Sequence, residues 1–294
     1  YQQEWIFDLV TDPLTGFAES VDEIFEKVAD YHDKRQWDYV IAITDLPMFA
    51  DKQVMALDIN MENGAAIFSY PAFGWRPVKK RFKHAIYNII QELNEAEQES
   101  RNYDNNKQIE NSVKKQFPLS KIDKETIYMK ETDSYHLRYL SSSRSRGMFR
   151  LVSGMTFANN PLNMMASLSN IVAIAFTTGA FGLVFTTMWQ MAYNFSMWRL
   201  FGISIIAIIG MLIWIMMSHD LWEPVNKSNH KRITWLYNLT TIMTLIFAII
   251  IYYIILYLLF LIAEIVLLPS GFLGQQVGLK GPAGIDLYLS IPWF

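Results

Sequence analysis

Residues 168–193, LSNIVAIAFTTGAFGLVFTTMWQMAY, decide how this chain is built. The stretch holds no charged side chain, and a helix rising about 1.5 Å per residue would carry it across a hydrocarbon layer of about 30 Å. Two more apolar runs follow at 200–218 and 235–268, and the only charge in them is Glu264. The sequence therefore predicts an all-α transmembrane domain, 166–268, of at least three helices at about 168–193, 200–218 and 235–268.

Charge is concentrated in the first half of the chain. Of the 25 Lys and Arg residues 20 lie at or before Arg150, as do 24 of the 28 Asp and Glu residues. The net charge of −3 offers no strongly basic face, so we expect no nucleic-acid partner. Cys is absent, which excludes disulfides and thiolate sites.

Basic residues flank the apolar runs on what we expect to be one side. They are Arg144, Arg146 and Arg150 before the first run, and Lys227, Lys231 and Arg232 between the second and third. Cytoplasmic loops carry an excess of Lys and Arg, so both segments are predicted to be cytoplasmic. A multi-pass protein of the cell membrane follows, with a cytoplasmic N-terminal domain and an extracytoplasmic tail, 269–294, that ends in the start of a further apolar segment. Residues 1–7 show no signal peptide.

The third run is longer than one bilayer crossing, since its residues would form a helix of about 50 Å. Tyr252, Tyr253 and Tyr257 lie where an outer aromatic belt is expected, which leaves 258–268 beyond the lipid. We hypothesise that this extension is buried against copies of itself or against the tail, because exposed apolar surface aggregates. A strongly tilted helix with buried tyrosines is the alternative.

The first run carries small and polar residues at four-residue spacing: Thr178, Gly182, Thr186 and Gln190. On one helix they would cover an arc of about 120°. Such a face packs helices closely, and the alternative is the polar lining of a pathway. Glu264 is the only acid in the apolar runs and lies near a helix end, which argues against ion-coupled transport.

Residues 144–165 mix Arg with apolar side chains and are predicted to form an amphipathic segment on the inner membrane surface. Arg144, Arg146 and Arg150 would then face anionic lipid headgroups. The alternative is an ordinary connector. Residues 96–143 are highly polar and are interpreted as a linker.

Residues 1–95 are predicted to form a cytoplasmic α/β domain with a mixed sheet in the order β-α-β-β-β-α. The predicted elements are strands at 5–11, 39–44, 54–61 and 65–69 and helices at 17–34 and 77–93. Asn63-Gly64 between two β-rich runs predicts a hairpin turn.

Three predicted strands end at a polar residue close to a proline, which suggests a crevice at one sheet edge. Asp12, Asp45 and Ser69 lie at these ends, and His84 lies on the last helix. Turn and cap chemistry is the alternative. No glycine-rich phosphate loop follows any strand, so no nucleotide cofactor is expected.

The last helix of this domain begins with a concentration of positive charge. The residues are Arg76, Lys79, Lys80, Arg81 and Lys83. They are predicted to dock the domain on anionic lipids of the inner leaflet, at about 1 kcal/mol for each basic residue near the surface. The alternative is a solvated helix face.

The element order, with ITDLP, NGAAIFSYPAFG and a helix carrying His84, resembles the core of the metzincin zinc proteases, especially the archaemetzincins. That family has a His-Glu-x-x-His pair on this helix, with two zinc ligands and a general base. Here Ala85 stands in place of the base and Asn88 in place of the second ligand. The resemblance therefore implies the fold without the zinc site, and we expect no metal, no cofactor and no catalytic residue.

The chain also resembles a family of uncharacterised polytopic membrane proteins of Gram-positive bacteria. The matching words are ITDLP, FTTGAFGLVFTTMW, HDLWE and LYNLTTIMTL. We therefore expect a non-enzymatic, self-associating scaffold in the bacterial membrane that displays a protease-like domain to an unidentified protein partner. The alternatives are a channel or transporter with the soluble domain as regulator, and an enzyme using Asp12, Asp45 and His84.

Overall fold

A computed structural model describes residues 6–12, 21–75, 78–97, 111, 113–116, 122–129, 134–161, 169–224 and 231–293. The chain divides into two compact units, Tyr1–Ala158 with Lys227–Ile233, and Asn159–Asn226 with Thr234–Phe294. The first unit is an α/β domain and the second is helical. This confirms the predicted fold class at that level.

The first unit is built on a mixed sheet. Its strands are β1 Val40–Thr44, β2 Met48–Ala50, β3 Gln53–Asn60, β4 Ala65–Ser69, β5 Ile122–Met129 and β6 Ser134–Ser141. The order is β1-β4-β3-β6-β5, and β2 pairs with β3. Strands β1 and β4 pair in parallel. The other described pairs are antiparallel: β2 with β3, β3 with β4, β3 with β6, and β5 with β6.

The predicted hairpin between β3 and β4 is confirmed. Gly64 has a φ of 65°, a conformation that glycine adopts without steric cost. The Asn63 side-chain oxygen accepts a hydrogen bond of 3.1 Å from the Ala65 amide. The turn therefore uses the Asn-Gly chemistry that identified it in the sequence.

Helices cover both faces of the sheet. On one face, helix α1, Val21–Arg35, packs Ile24 and Val28 against Met55 and Ile67 of the sheet. The other face carries the buried ring of Phe68, which contacts Phe73 of the 3-10 helix Tyr70–Phe73 and Phe82 of helix α2, Val78–Glu97. The domain therefore has a core on each side of the sheet.

The strand predicted at 5–11 is not formed over residues 6–11. The ends of this segment contact α1 instead: Arg35 lies 3.7 Å from the Asp8 carboxylate, and the Tyr31 hydroxyl donates to Asp12 at 3.3 Å. Strand β1 is the sheet edge next to β4, and Ile6 and Leu9 are 93% and 88% exposed. A β-rich composition alone does not make a strand when the backbone pairs with no neighbouring strand.

The polar linker predicted at 96–143 contains β5 and β6, which are two strands of the main sheet. Strand β6 pairs with β3 in the interior of the sheet. Its polar residues His136 and Arg138 fit this interior position because both bond to Asp58 of β3. The domain therefore extends well beyond residue 95.

The amphipathic segment predicted at 144–165 contains helix α3, Arg144–Ala158, which belongs to the α/β unit. The helix packs on the Tyr70–Phe73 turn, and Gly154 lies so close to the Pro71 carbonyl that a Cβ atom would collide with it. Leu151 is fully buried, and Arg150 is only 2% exposed. Arg150 is therefore unavailable to headgroups, whereas Arg144 and Arg146 are exposed.

The second unit consists of helices separated by short turns. They are α4 Ser169–Gly182, α5 Thr186–Asn194, α6 Met197–Ser218, α7 Lys231–Leu267, α8 Ser270–Gln276 and α9 Ile285–Ser290, followed by a 3-10 turn, Ile291–Trp293. In the described part of the chain two helices, α6 and α7, are long and apolar enough to cross a membrane. The first turn of α7 belongs to the α/β unit.

The first predicted span is divided between α4 and α5. The chain turns at 183–185, where the Phe185 amide donates to the Gly182 carbonyl at 3.2 Å in place of a regular helical bond. Each piece is shorter than a bilayer crossing, with 14 and 9 residues. A third crossing accordingly remains a prediction.

The far end of α7 packs against the tail. The Tyr257 hydroxyl donates to the Leu289 carbonyl at 2.8 Å, and the Tyr288 hydroxyl donates to the Leu268 carbonyl. Tyr252 is buried beside Ile215, and Tyr253 bonds to Ser204 at 2.7 Å. These three tyrosines therefore make contacts within the unit, and the outer aromatic belt stays a prediction.

Candidate functional site

The predicted sheet-edge crevice is formed only in part. Thr44 and Ser69 end β1 and β4 side by side, as expected for parallel strands, and the Ser69 hydroxyl donates to the Leu46 carbonyl at 2.8 Å. The Thr44 side chain accepts from the Leu46 amide. These contacts are turn chemistry, which was the alternative interpretation of the pattern.

The other predicted crevice residues have different surroundings. Asp12 lies against α1, where it accepts from Tyr31 and is 4.0 Å from Lys27. Asp45 and His84 are exposed, the latter on α2. Across the described ranges no group of three His, Asp or Glu side chains is close enough to hold a metal ion. Ala85 is fully buried at the position where the resembled proteases carry their general base.

A buried polar cluster that was not predicted from the sequence lies beneath α1. Asp58, in β3, has an exposed fraction of zero. One of its oxygens lies 2.9 Å from Nδ1 of His136, and the other accepts from Nε of Arg138 at 2.8 Å. The strand register pairs Asp58 with Arg138 and Asn60 with His136, so all of these side chains share one face of the sheet.

Helix α1 covers this cluster. The Phe25 ring meets the His136 imidazole edge to face, with centroids 5.0 Å apart. A carboxylate bonded to Nδ1 fixes the orientation of an imidazole, which is an arrangement that acid–base sites also use. The side chains of Asp58 and His136 are at most 3% exposed, so the cluster ties β6 to β3 in the folded domain rather than facing solvent.

One feature of the sequence marks this cluster. Asp58 follows four apolar residues in β3, VMAL, and a buried carboxylate requires a partner. The two partners lie 78 and 80 residues further along the chain, in the segment interpreted as a linker. The sequence indicates the acid but not its two partners.

A second buried cation lies where α3 meets the turn before α2. Nε of Arg150 donates to the Ala72 carbonyl at 2.6 Å, and its aliphatic stem occupies the space that a side chain at Gly74 would need. Burial, and to a smaller extent the charge of Arg81, lowers the pKa of the Arg150 guanidinium to about 10. The group therefore stays charged at neutral pH and anchors α3.

The basic cluster at the start of α2 is partly exposed. Lys79, Lys80 and Lys83 are exposed, whereas Arg81 donates to the Trp75 carbonyl at 3.2 Å, and burial lowers its pKa. Arg76 lies outside the described residues. Three lysines therefore remain available for lipid docking, which stays a prediction.

An open groove of about 570 Å³ lies at the other end of the strands, beside the residues that precede β1 and the β3–β4 turn. Its lining includes His32, Trp37, Tyr39, Asn63 and Leu93. The groove combines aromatic and polar side chains with a backbone turn, a lining suited to binding rather than to covalent chemistry. No sequence pattern pointed to it, because its parts come from separate elements.

The polar stripe predicted on the first span is interrupted. Thr178 lies on α4, where its hydroxyl donates to the Ile174 carbonyl at 2.8 Å, and Gly182 ends that helix. Thr186 and Gln190 lie on α5, and the Gln190 amide donates to the Gln276 carbonyl at 3.3 Å. The four residues therefore do not form one helical face, because the turn at 183–185 breaks the periodicity.

Arg232 fastens the first turn of α7 to the β2–β3 turn within the α/β unit. Its Nη1 and Nη2 donate to the carbonyls of Asp51 and Lys52 at 2.9 and 3.0 Å. Its guanidinium also lies over the Phe49 ring. From the sequence, Arg232 was predicted only to be one of the charges that set orientation.

Comparison with known proteins adds no identification. No protein-family model, no curated protein and no solved structure matches this chain. The resemblances to archaemetzincins and to polytopic membrane proteins of Gram-positive bacteria therefore stay predictions.

Proposed function

We propose that this protein is a multi-pass, self-associating membrane scaffold without enzymatic activity, and that it holds its α/β domain at the cytoplasmic surface for binding. The observation that carries the proposal is the attachment of Arg232, at the start of α7, to the β2–β3 turn. A helix long enough to cross a membrane therefore begins as part of the α/β domain.

The number of crossings is proposed from this attachment together with a crossing by α6. Helix α3 and the first turn of α7 belong to one compact unit, so both are on one side of a membrane. The chain between them must cross an even number of times. Helix α6 supplies one crossing, so residues 159–196, which include α4 and α5, supply another.

Orientation is proposed from charge. Exposed Arg144 and Arg146 on α3 and Lys231 on α7 lie on the α/β side, and this excess of cations favours the cytoplasm. The tail after α7 is then extracytoplasmic.

Self-association is proposed from the length and surface of α7. Its 37 residues extend about 55 Å, against a hydrocarbon layer of about 30 Å. The tail covers one face of the far end, but Ile262, Ile265 and Val266 are 53–74% exposed on another. A second copy of the chain would bury this apolar surface.

The absence of enzymatic activity is proposed from the residues present. Asn88 and Ala85 replace a zinc ligand and a general base in the resembled motif. The Asp58–His136 pair is sealed beneath α1. Binding at the groove beside Trp37 is the role that this domain can serve.

Topology can be tested with single cysteines, because the natural chain has none. We would introduce Glu62→Cys in the β3–β4 turn, Trp198→Cys at the start of α6 and Lys280→Cys in the tail, all exposed positions. A membrane-impermeant maleimide should label positions 198 and 280 in intact cells, and position 62 only after permeabilisation. Labelling at 280 but not at 198 would disprove the crossing by α4 and α5.

Self-association has its own test. Ile262→Cys on α7 should form a disulfide-linked dimer in native membranes under mild oxidation. The matched control is Ile206→Cys on α6, which is 71% exposed. Equal crosslinking at both positions, or none at 262, would contradict the proposed self-association through α7. Native mass spectrometry would give the subunit number.

A further inference from the structure

Glu264 is the only acidic residue within the long apolar helices, and it is completely buried. It lies three residues before the end of α7, where the tail packs. Among the described residues neither of its carboxyl oxygens has a hydrogen-bond partner. A buried polar group is normally hydrogen-bonded, so this one requires an explanation.

The surroundings of Glu264 are apolar. Leu261 on the same helix and Leu268, just after its end, pack into a cluster with Leu273 of α8 and Leu287 of α9. One turn before it, Phe260 stacks on Phe176 of α4, with ring centroids 5.5 Å apart. These contacts cover the side of α7 that carries Glu264, whereas Ile262, Ile265 and Val266 on another side are exposed.

The titratable groups that face Glu264 are two phenols. Tyr257 on α7 and Tyr288 on α9 are near enough to interact electrostatically with its carboxyl group. Both phenol hydroxyls donate hydrogen bonds to backbone carbonyls: Tyr257 to that of Leu289 and Tyr288 to that of Leu268. Helices α4 and α8 have no ionisable side chain, and Tyr193 of α5 is exposed.

No described cation offsets a negative charge at this position, since the ion pairs of the described residues do not include Glu264. An uncompensated buried carboxylate costs several kcal/mol, and carboxyl groups in such sites take up a proton instead. In membrane proteins buried acids of this kind are found along proton paths.

We propose that Glu264 is a proton-binding site inside the second unit, where its carboxyl group is held protonated beneath α8 and α9. Release of the proton to water leaves a carboxylate that the apolar cluster cannot accommodate. Loss of the proton is therefore linked to movement of the tail helices away from α7. This inference extends the proposed scaffold, which does not depend on it.

The first test uses the full chain in liposomes and a hydrophobic carbodiimide, a reagent that reacts with protonated carboxyls in apolar surroundings. Peptide mass spectrometry would compare Glu264 with Asp286, an exposed acid at the start of α9. We expect modification at Glu264 at neutral pH and little at Asp286. Preferential modification of Asp286 would overturn the proposal.

The second test does not require a reagent to reach the site. Infrared spectra of the wild-type chain and of E264Q at neutral pH should differ by the carbonyl stretch of a protonated carboxylic acid, which is lost in the variant. E264D, which retains a carboxyl group, should keep a protonated band. If the wild type shows only the carboxylate bands at this difference, Glu264 is ionised and the proposal is wrong.

Discussion

The guanidinium of Arg232, in the first turn of α7, lies 3.9 Å from the centroid of the Phe49 ring in β2. The same group donates two hydrogen bonds to the turn that follows β2. Arg is suited to this position because its planar fork can stack on a ring and donate to two acceptors at once. A single residue thus joins the start of the longest apolar helix to the sheet.

Replacing Arg232 by Ala should loosen the β2–β3 hairpin. Each of the two exposed hydrogen bonds contributes about 0.5–1.5 kcal/mol net and an exposed cation–π contact about 0.5–1 kcal/mol, so a loss of about 2 kcal/mol is expected. Hydrogen exchange of the full chain in detergent should then be roughly thirtyfold faster across 48–60.

Two controls separate the contacts of Arg232 from its charge. Arg232→Lys keeps the charge but loses the fork, so we expect most of the effect to persist. Lys231→Ala removes an exposed neighbouring charge and should leave the hairpin unchanged. Unchanged exchange in Arg232→Ala would contradict the attachment on which the crossing argument rests.

The buried cluster under α1 makes Asp58 sensitive to substitution. Asp58→Asn keeps the shape of the side chain but leaves the Arg138 charge without its carboxylate. Breaking a buried pair in this way costs about 3–5 kcal/mol. Amide exchange in β3 and β6 should accelerate by a factor on the order of a hundred or more.

The matched control for this change is Asp45→Asn. Asp45 is exposed at the end of β1, so its substitution should leave exchange in β3 and β6 at the wild-type rate. Equal effects of the two variants would show that the Asp58 charge contributes little to holding β6 in the sheet.

Short-range signals in this sequence were more reliable than long-range ones. Asn63-Gly64 predicted its hairpin because the turn geometry depends on those two residues alone. The place of β6 beside β3 could not be predicted, because its polar side chains are explained only by Asp58, far away in the sequence. Periodicity likewise gave no warning of the turn after Gly182, which shows in the backbone bonds.

The candidate site shows the same difference between short-range and long-range signals. The parallel ends of β1 and β4 could be predicted, and Thr44 and Ser69 do lie side by side. The attachment by Arg232 could not, because it joins residues about 180 positions apart. The isolation of Glu264 was visible in the sequence, but its burial depends on how the tail folds back.

Gly154 is predicted to be intolerant of a side chain. Gly154→Ala would place a Cβ atom against the Pro71 carbonyl, and neither backbone can move without displacing α3 or the 3-10 helix. Overpacking of this kind costs about 1–3 kcal/mol. Gly202→Ala on α6, where the space is open, should be neutral or slightly stabilising, since alanine favours helices. Exchange in α3 checks the first change and exchange in α6 checks the second.

The exposed lysines of α2 give the last prediction. Lys79, Lys80 and Lys83 should hold the domain near anionic lipid at about 1 kcal/mol each. A fluorophore on Tyr87→Cys, an exposed position of the same helix, should be quenched by a quencher placed in the headgroup region. Changing the three lysines to Glu should reduce quenching more than changing them to Gln, because reversal adds repulsion to the loss of attraction. High salt should weaken quenching in the unaltered helix by screening these charges. Quenching that is the same in all three forms would mean that this face of α2 is simply solvated.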